Sequence, residues 1–176
     1  AKTRLGDIIY GEGDDTMESV VGRLLTDQHK TLALAESCTG GLLAGAITSC
    51  PGSSLWFERG FVTYSNAAKV EQLRVSSDTL ERFGAVSEET AMEMAGGVLA
   101  AVPQAQLALS TTGIAGPGGA TPGKPVGMVC FGIARRAGSG IVTRAVTQVF
   151  EGDRDAVRAA AVRRALQAAL VELGKA

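Results

Sequence analysis

The stretch Ala33-Leu34-Ala35-Glu36-Ser37-Cys38-Thr39-Gly40-Gly41 constrains this chain more than any other. An apolar run, Leu32 to Ala35, reads as a buried strand that stops at Glu36-Ser37. A Thr-Gly-Gly turn follows, and Leu42-Leu43-Ala44-Gly45-Ala46-Ile47 continues as a helix. A strand that turns sharply into a helix puts its junction at the carboxyl edge of a sheet, where open α/β sheets bind ligands. The helix start adds N–H groups and positive dipole for an anion. Ser37 thus has a nucleophile's position, with a candidate anion site beside it. A serine or threonine that only caps the helix is the commoner arrangement. The rest of the chain has to decide between the two.

Composition narrows the setting. A chain of 176 residues, 45% hydrophobic and 20% charged, fits one soluble globular domain with a real core. A net charge of −1 gives no electrostatic case for nucleic acid or an anionic membrane as partner. No apolar run approaches the ~18 residues of a membrane span, and the N-terminal residues lack a signal-peptide core. The cysteines Cys38, Cys50 and Cys130 are odd in number and widely spaced. That argues against a disulfide framework and against zinc, and makes a reducing cytoplasm the expected compartment.

Read in order, residues 1–16 form a polar lead-in, and 17–176 carry the expected domain. Met17 to His29 has Val20, Val21, Leu24 and Leu25 at helical spacing. Thr31 to Ala35 is the first strand and Gly40 to Ser49 the second helix. Trp56 to Ser65 reads as a strand, and Ala67–Leu73 and Ser77–Phe83 as short helices. Ser87 caps a longer helix with Glu88 and Glu89 in its first turn. Gly96-Gly97 inside it lowers helix propensity, which a close backbone contact would explain. Gln106 to Thr112 is an apolar strand. Gly113 to Gly127 then holds six glycines and three prolines in 15 residues. Val126–Arg135 and Ile141–Phe150, joined by Ala137-Gly138-Ser139-Gly140, predict an antiparallel hairpin. Asp153 caps a final helix. The expected architecture is a single three-layer α/β/α domain with a mixed, mostly parallel sheet and a C-terminal hairpin plus helix.

The single histidine, His29, falls at the wrong end of the first strand, roughly 17 Å from Ser37. A Ser-His-Asp triad or a Cys-His pair is therefore not expected. A serine nucleophile then needs another base, and lysine serves when burial leaves its amine neutral. Lys69, at a strand-to-helix junction, is the best candidate, against the ordinary reading of a surface lysine. Lys124 in the glycine-rich loop is a rival. Cys38 is a rival nucleophile at the same helix start. Ser110-Thr111-Thr112-Gly113-Ile114-Ala115-Gly116-Pro117 is a second strand-to-glycine junction, able to turn N–H groups toward an oxyanion. Gly118 to Lys124 mimics a nucleoside-triphosphate loop. Pro125 stands where Ser or Thr is needed, so that reading fails. Arg154, or Arg158 one turn later, can pair with a phosphate.

Taken together, Ala35-Glu36-Ser37-Cys38-Thr39-Gly40-Gly41, Trp56 to Asn66, Gly84-Ala85-Val86-Ser87, Thr112 to Pro117, Lys124-Pro125-Val126-Gly127 and Gly152-Asp153-Arg154 resemble the C-terminal domain of the competence/damage-inducible CinA family. That family is also described as nicotinamide-nucleotide amidase. The motifs run in order over nearly all of the chain after residue 16. The resemblance implies hydrolysis of nicotinamide mononucleotide to nicotinate mononucleotide and ammonia, without metal or organic cofactor, in a protein that forms dimers or higher homo-oligomers. It implies Ser37 as nucleophile and Lys69 as its base, with Tyr64 and Thr112 as supporting hydroxyls. Thr39, Gly40, Gly41, Gly113 and Arg154 are the implied substrate-binding residues. Ser110-Thr111-Thr112 leaves the choice between Thr111 and Thr112 open, as Arg154 and Arg158 leave theirs.

Overall fold

The computed structural model describes residues 15–174. The lead-in expected over 1–16 lies outside them except for Asp15 and Thr16. Thr16 caps the first helix by accepting from Ser19 N at 3.2 Å. In chain order the elements are α1 (Met17–Asp27), β1 (Leu32–Glu36), α2 (Leu42–Thr48), a short 3-10 turn (Ser53–Leu55), β2 (Phe57–Val62), α3 (Asn66–Leu73) and α4 (Ser77–Phe83). They continue with α5 (Glu88–Ala101), β3 (Leu107–Gly113), β4 (Met128–Ala137), β5 (Gly140–Val149) and α6 (Arg154–Glu172). Among the described residues no helix is long and apolar enough to cross a membrane.

The strands form one sheet in the order β2-β1-β3-β4-β5. β1 pairs in parallel with both β2 and β3, while β3–β4 and β4–β5 are antiparallel. Only β4 therefore runs against the other strands, although the four pairings divide evenly. The expected hairpin is β4–β5.

Strand alternation splits the core in two. Leu32 and Leu34 of β1 face α1, α2 and α6 in a large aliphatic cluster. Ala33 and Ala35 face α5 in a smaller one. The residues on that second face are small because α5 lies very close to the sheet. A Cβ on Gly132 would come within 2.0 Å of the Ala91 carbonyl oxygen. The Gly96-Gly97 pair has the reason its position suggested. A Cβ on Gly97 would meet the Leu73 carbonyl oxygen at 2.0 Å, so glycine is what lets α5 cross the end of α3.

The order 2-1-3 sets the location of the site. The chain leaves β1 through α2 on one face and returns to β3 through α5 on the other. This opens a crevice at the carboxyl ends of β1 and β3, where such sheets hold ligands.

Candidate active site

Three strand ends meet at that crevice. Ser37 follows β1, and its N–H donates to the Thr111 carbonyl at 2.9 Å, prolonging the pairing with β3. Thr63 follows β2, and its N–H donates to the Glu36 carbonyl at 2.9 Å. Ser65 then caps α3 by accepting from Ala68 N at 3.0 Å. Side chains in a helix tilt toward its N-terminus. Lys69, one turn into α3, therefore reaches back over the end of β2.

Its amine is 3.1 Å from Ser37 Oγ, 2.8 Å from the Thr63 carbonyl oxygen and 3.5 Å from that of Tyr64. Lys69 is only 1% exposed. Burial holds the amine below its ordinary range, and the Cys38 thiol close by acts weakly in the other direction. No carboxylate among the described residues pairs with it. A neutral amine has two hydrogens and one lone pair. In the structure the amine is placed to donate to Ser37 Oγ and to both carbonyls; once deprotonated, it would keep two hydrogens for the carbonyls and turn its lone pair to the Ser37 hydroxyl.

A cavity of about 220 Å³ opens in front of this pair. Its walls are Ser37, Cys38, Tyr64, Lys69, Ala85, Val86, Thr112, Gly113, Ala115 and Arg154. The choice between Thr111 and Thr112 falls out of strand alternation, because neighbouring residues face opposite sides. Thr112 faces the cavity and donates its hydroxyl to the Ala85 carbonyl at 2.7 Å. Thr111 faces the other way, its hydroxyl 2.7 Å from that of Thr39.

The arginines divide in the same manner. Arg154 is on the cavity, donating to the Gly116 carbonyl at 2.9 Å and the Tyr64 hydroxyl at 3.2 Å. Arg158 instead braces the turn after Ser37, donating to the carbonyls of Cys38 at 3.2 Å and Thr39 at 3.1 Å. Tyr64 stands at the rim with its hydroxyl toward Arg154, and its main-chain oxygen toward Lys69.

Several expected residues are elsewhere. Thr39 is fully buried, and neither it nor Gly40 or Gly41 lines the cavity. The start of α2 is occupied by the chain itself. The buried Glu36 carboxylate accepts from Gly41 N at 3.0 Å, Leu43 N at 3.1 Å and Ala44 N at 2.8 Å. Glu36 is thus the residue that sequence reasoning passed over. Its signal is an acid at the last strand position before a glycine-opened helix. Lys124 donates to the Phe83 carbonyl and is not on the cavity. His29 precedes β1, at the end opposite Ser37. The Cys38 thiol is pushed up to about 12 by burial, which keeps it protonated.

Known proteins carry the same arrangement of chain. The "CinA-like protein" of Chloroherpeton thalassium is 52% identical over 153 residues, 87% of this chain and 36% of that protein. A "putative competence-damage inducible protein" of Alkaliphilus metalliredigens is 50% identical over 155 residues, 88% of this chain and 36% of its own. The chain therefore spans about a third of the length of these curated relatives. Among solved structures, competence damage-inducible protein A from Klebsiella pneumoniae superposes with a TM-score of 0.82 at 39% identity, over 89% of this chain and 93% of that one. The competence/damage inducible protein of Agrobacterium tumefaciens gives 0.79 at 41% identity, over 93% and 98%. With the family profile described as "CinA C-terminal domain" matching residues 14–173, the chain belongs to the CinA C-terminal domain family.

Proposed function

We propose that this protein is an amidohydrolase that converts nicotinamide mononucleotide to nicotinate mononucleotide and ammonia, with Ser37 as nucleophile and Lys69 as its base. The observation that carries the proposal is the buried Lys69 amine, 3.1 Å from Ser37 Oγ and without a carboxylate partner among the described residues. A surface or structural lysine has no need of that position, whereas a proton acceptor does.

In this reading neutral Lys69 takes the Ser37 proton as Oγ bonds to the carboxamide carbon. The tetrahedral adduct collapses, the C–N bond breaks, and Lys69 returns the proton to the leaving ammonia. Water then attacks the nicotinoyl ester, giving its proton to Lys69, and Ser37 recovers its hydrogen as the acid departs. The cavity, about 220 Å³, is below the ~300–1,000 Å³ of ordinary ligand pockets. It suits the carboxamide-bearing ring, with ribose and phosphate at the mouth beside Arg154 and Tyr64.

The test is ammonia release from nicotinamide mononucleotide by the purified protein, compared with Ser37→Ala and Lys69→Met. Release by the parent and none by Ser37→Ala is the expected result. Nucleotide binding without turnover at high enzyme concentration supports a binding or regulatory module instead.

A further inference from the structure

A sheet edge left open is a template for another strand, and proteins blunt such edges by shortening, charging or kinking them. The two edges of this sheet differ in that respect. β2 has six residues, carries Glu58 and Arg59, and its pairing with β1 slips between Leu32 and Ala33. β5 has ten residues and contains no proline, lysine or acid. It pairs with β4 in unbroken register from Ala137 and Gly140 at the turn to Met128 and Val149 at the far end. Its one charged side chain, Arg144, is drawn to Glu172 of α6, donating at 3.2 and 3.0 Å.

The pairing with β4 fixes what β5 shows outward. Phe150 N–H donates to the Gly127 carbonyl at 3.0 Å, and bonded pairs of an antiparallel ladder recur at every second residue. Gly140, Val142, Arg144, Val146 and Gln148 therefore bond inward to β4. Ile141, Thr143, Ala145, Thr147 and Val149 turn their N–H and C=O groups outward, where none meets a partner among the described residues. The side chains of these five lie on the α5 face, where Thr147 donates to Glu88 at 2.8 Å. On the same face a groove of about 640 Å³ runs over α5 to the start of β5, with Met92, Gly96, Ala100, Ile141 and Thr143 in its walls. Ile141, Val142 and Val149 are exposed.

We propose that a second copy of this chain adds its β5 to this edge, antiparallel, about a two-fold axis at Ala145. Centred there, the edge is complementary to itself, as a two-fold contact requires. Ile141 meets the partner's Val149, Thr143 meets the partner's Thr147, and Ala145 meets the partner's Ala145. Each outward N–H finds an outward C=O, about ten hydrogen bonds in all, the number that a typical specific interface carries. Thr–Thr pairs opposite one another are favourable, and no charge faces a like charge directly, since Arg144 stands opposite the partner's Val146. Directly opposed side chains share a face. The exposed Val149 of one copy thus lies beside Ile141 of the other, and each groove is extended by apolar side chains instead of ending in water. This interface does not depend on the amidohydrolase reading.

The test is the mass of the chain in solution by light scattering over a wide range of concentration, with three variants at the axis. The parent should show twice the 18.0 kDa of one chain. Ala145→Pro deletes an outward N–H and leaves the β4 ladder its bonds, so monomers with the parent's circular dichroism are expected. Ala145→Lys and Ala145→Glu each set like charges face to face and should weaken association by about 5-fold or more. An equimolar mixture of the two should recover the parent's mass, because opposite charges then meet at the axis. A parent of single-chain mass at every concentration overturns the proposal. So do Lys and Glu variants that associate like the parent, and a mixture no heavier than its components.

Discussion

Lys69 Nζ lies 3.1 Å from Ser37 Oγ although 32 positions separate the two residues in the chain. β1 and β2 lie side by side and parallel, so the turn after each opens on the same edge. The pair is thus a product of sheet pairing, and its chemistry follows from what surrounds the amine.

The activity should follow the deprotonation of Lys69. Burial places its pKa below the usual 10.5. The rate is expected to rise with pH through that lowered value and level off above it. Lys69→Met should lose about 100- to 10,000-fold, the usual contribution of a positioned base. Deamidation rates measured from pH 6 to 10 check both statements, and a flat profile counts against lysine as the base.

The same burial has a stability consequence of definite sign. Lys69 binds its proton more weakly folded than unfolded, so the unfolded chain carries more protons between the two pKa values. Stability then rises with pH across that window, and the penalty is gone above 10.5, the unfolded value. Lys69→Met carries no such penalty. Parallel thermal melts should show the parent gaining on the variant as pH increases toward 10.

Cys38 should prove dispensable. Burial pushes its thiol up to about 12, so almost none is thiolate near neutrality. Cys38→Ala is expected to keep activity within a few-fold of the parent, and iodoacetamide at pH 8 to leave turnover intact. Inactivation that follows carboxymethylation of Cys38 contradicts this.

Glu36 should be a stability residue whose loss reaches the neighbouring Ser37. Its carboxylate accepts three N–H groups at the start of α2. Charged hydrogen bonds of this kind are worth about 1.5–3 kcal/mol, and Glu36→Ala strands all three donors. A loss of about 3 kcal/mol or more in urea denaturation is expected, with Glu36→Gln falling between.

Two glycines in helices should respond in opposite directions. Gly97→Ala drives a methyl group against the Leu73 carbonyl, 2.0 Å away, and should cost about 2–3 kcal/mol. Gly45→Ala in α2 meets nothing within 4 Å and should stabilise by about 0.5–1 kcal/mol. Chemical denaturation of the two single variants measures both.

Much of this protein is local, and that part was legible in the chain. Apolar spacing, capping residues and turn glycines act over a few residues, so each helix and strand among the described residues lies within a few residues of where its pattern puts it. Ser87 and Asp153 cap the helices that they announce. Ser37 at a strand-to-helix turn and Lys69 at another were visible for the same reason. What sequence left open needed the third dimension. Thr111 and Thr112 are equivalent in composition, and only the facing of β3 against β1 sends one to Thr39 and the other to the cavity. Arg154 and Arg158 differ by one helical turn, yet one meets the rim and the other the turn after Ser37. The N–H groups at the start of α2 looked free for an anion because nothing in a linear string shows that Glu36 folds back onto them. Lys124 read as a rival base until the packing of its loop set it on the Phe83 carbonyl. Local patterns determine where elements begin and end. Which polar group meets which is decided when distant segments are packed together, because hydrogen bonds and burial depend on distances in space rather than along the chain.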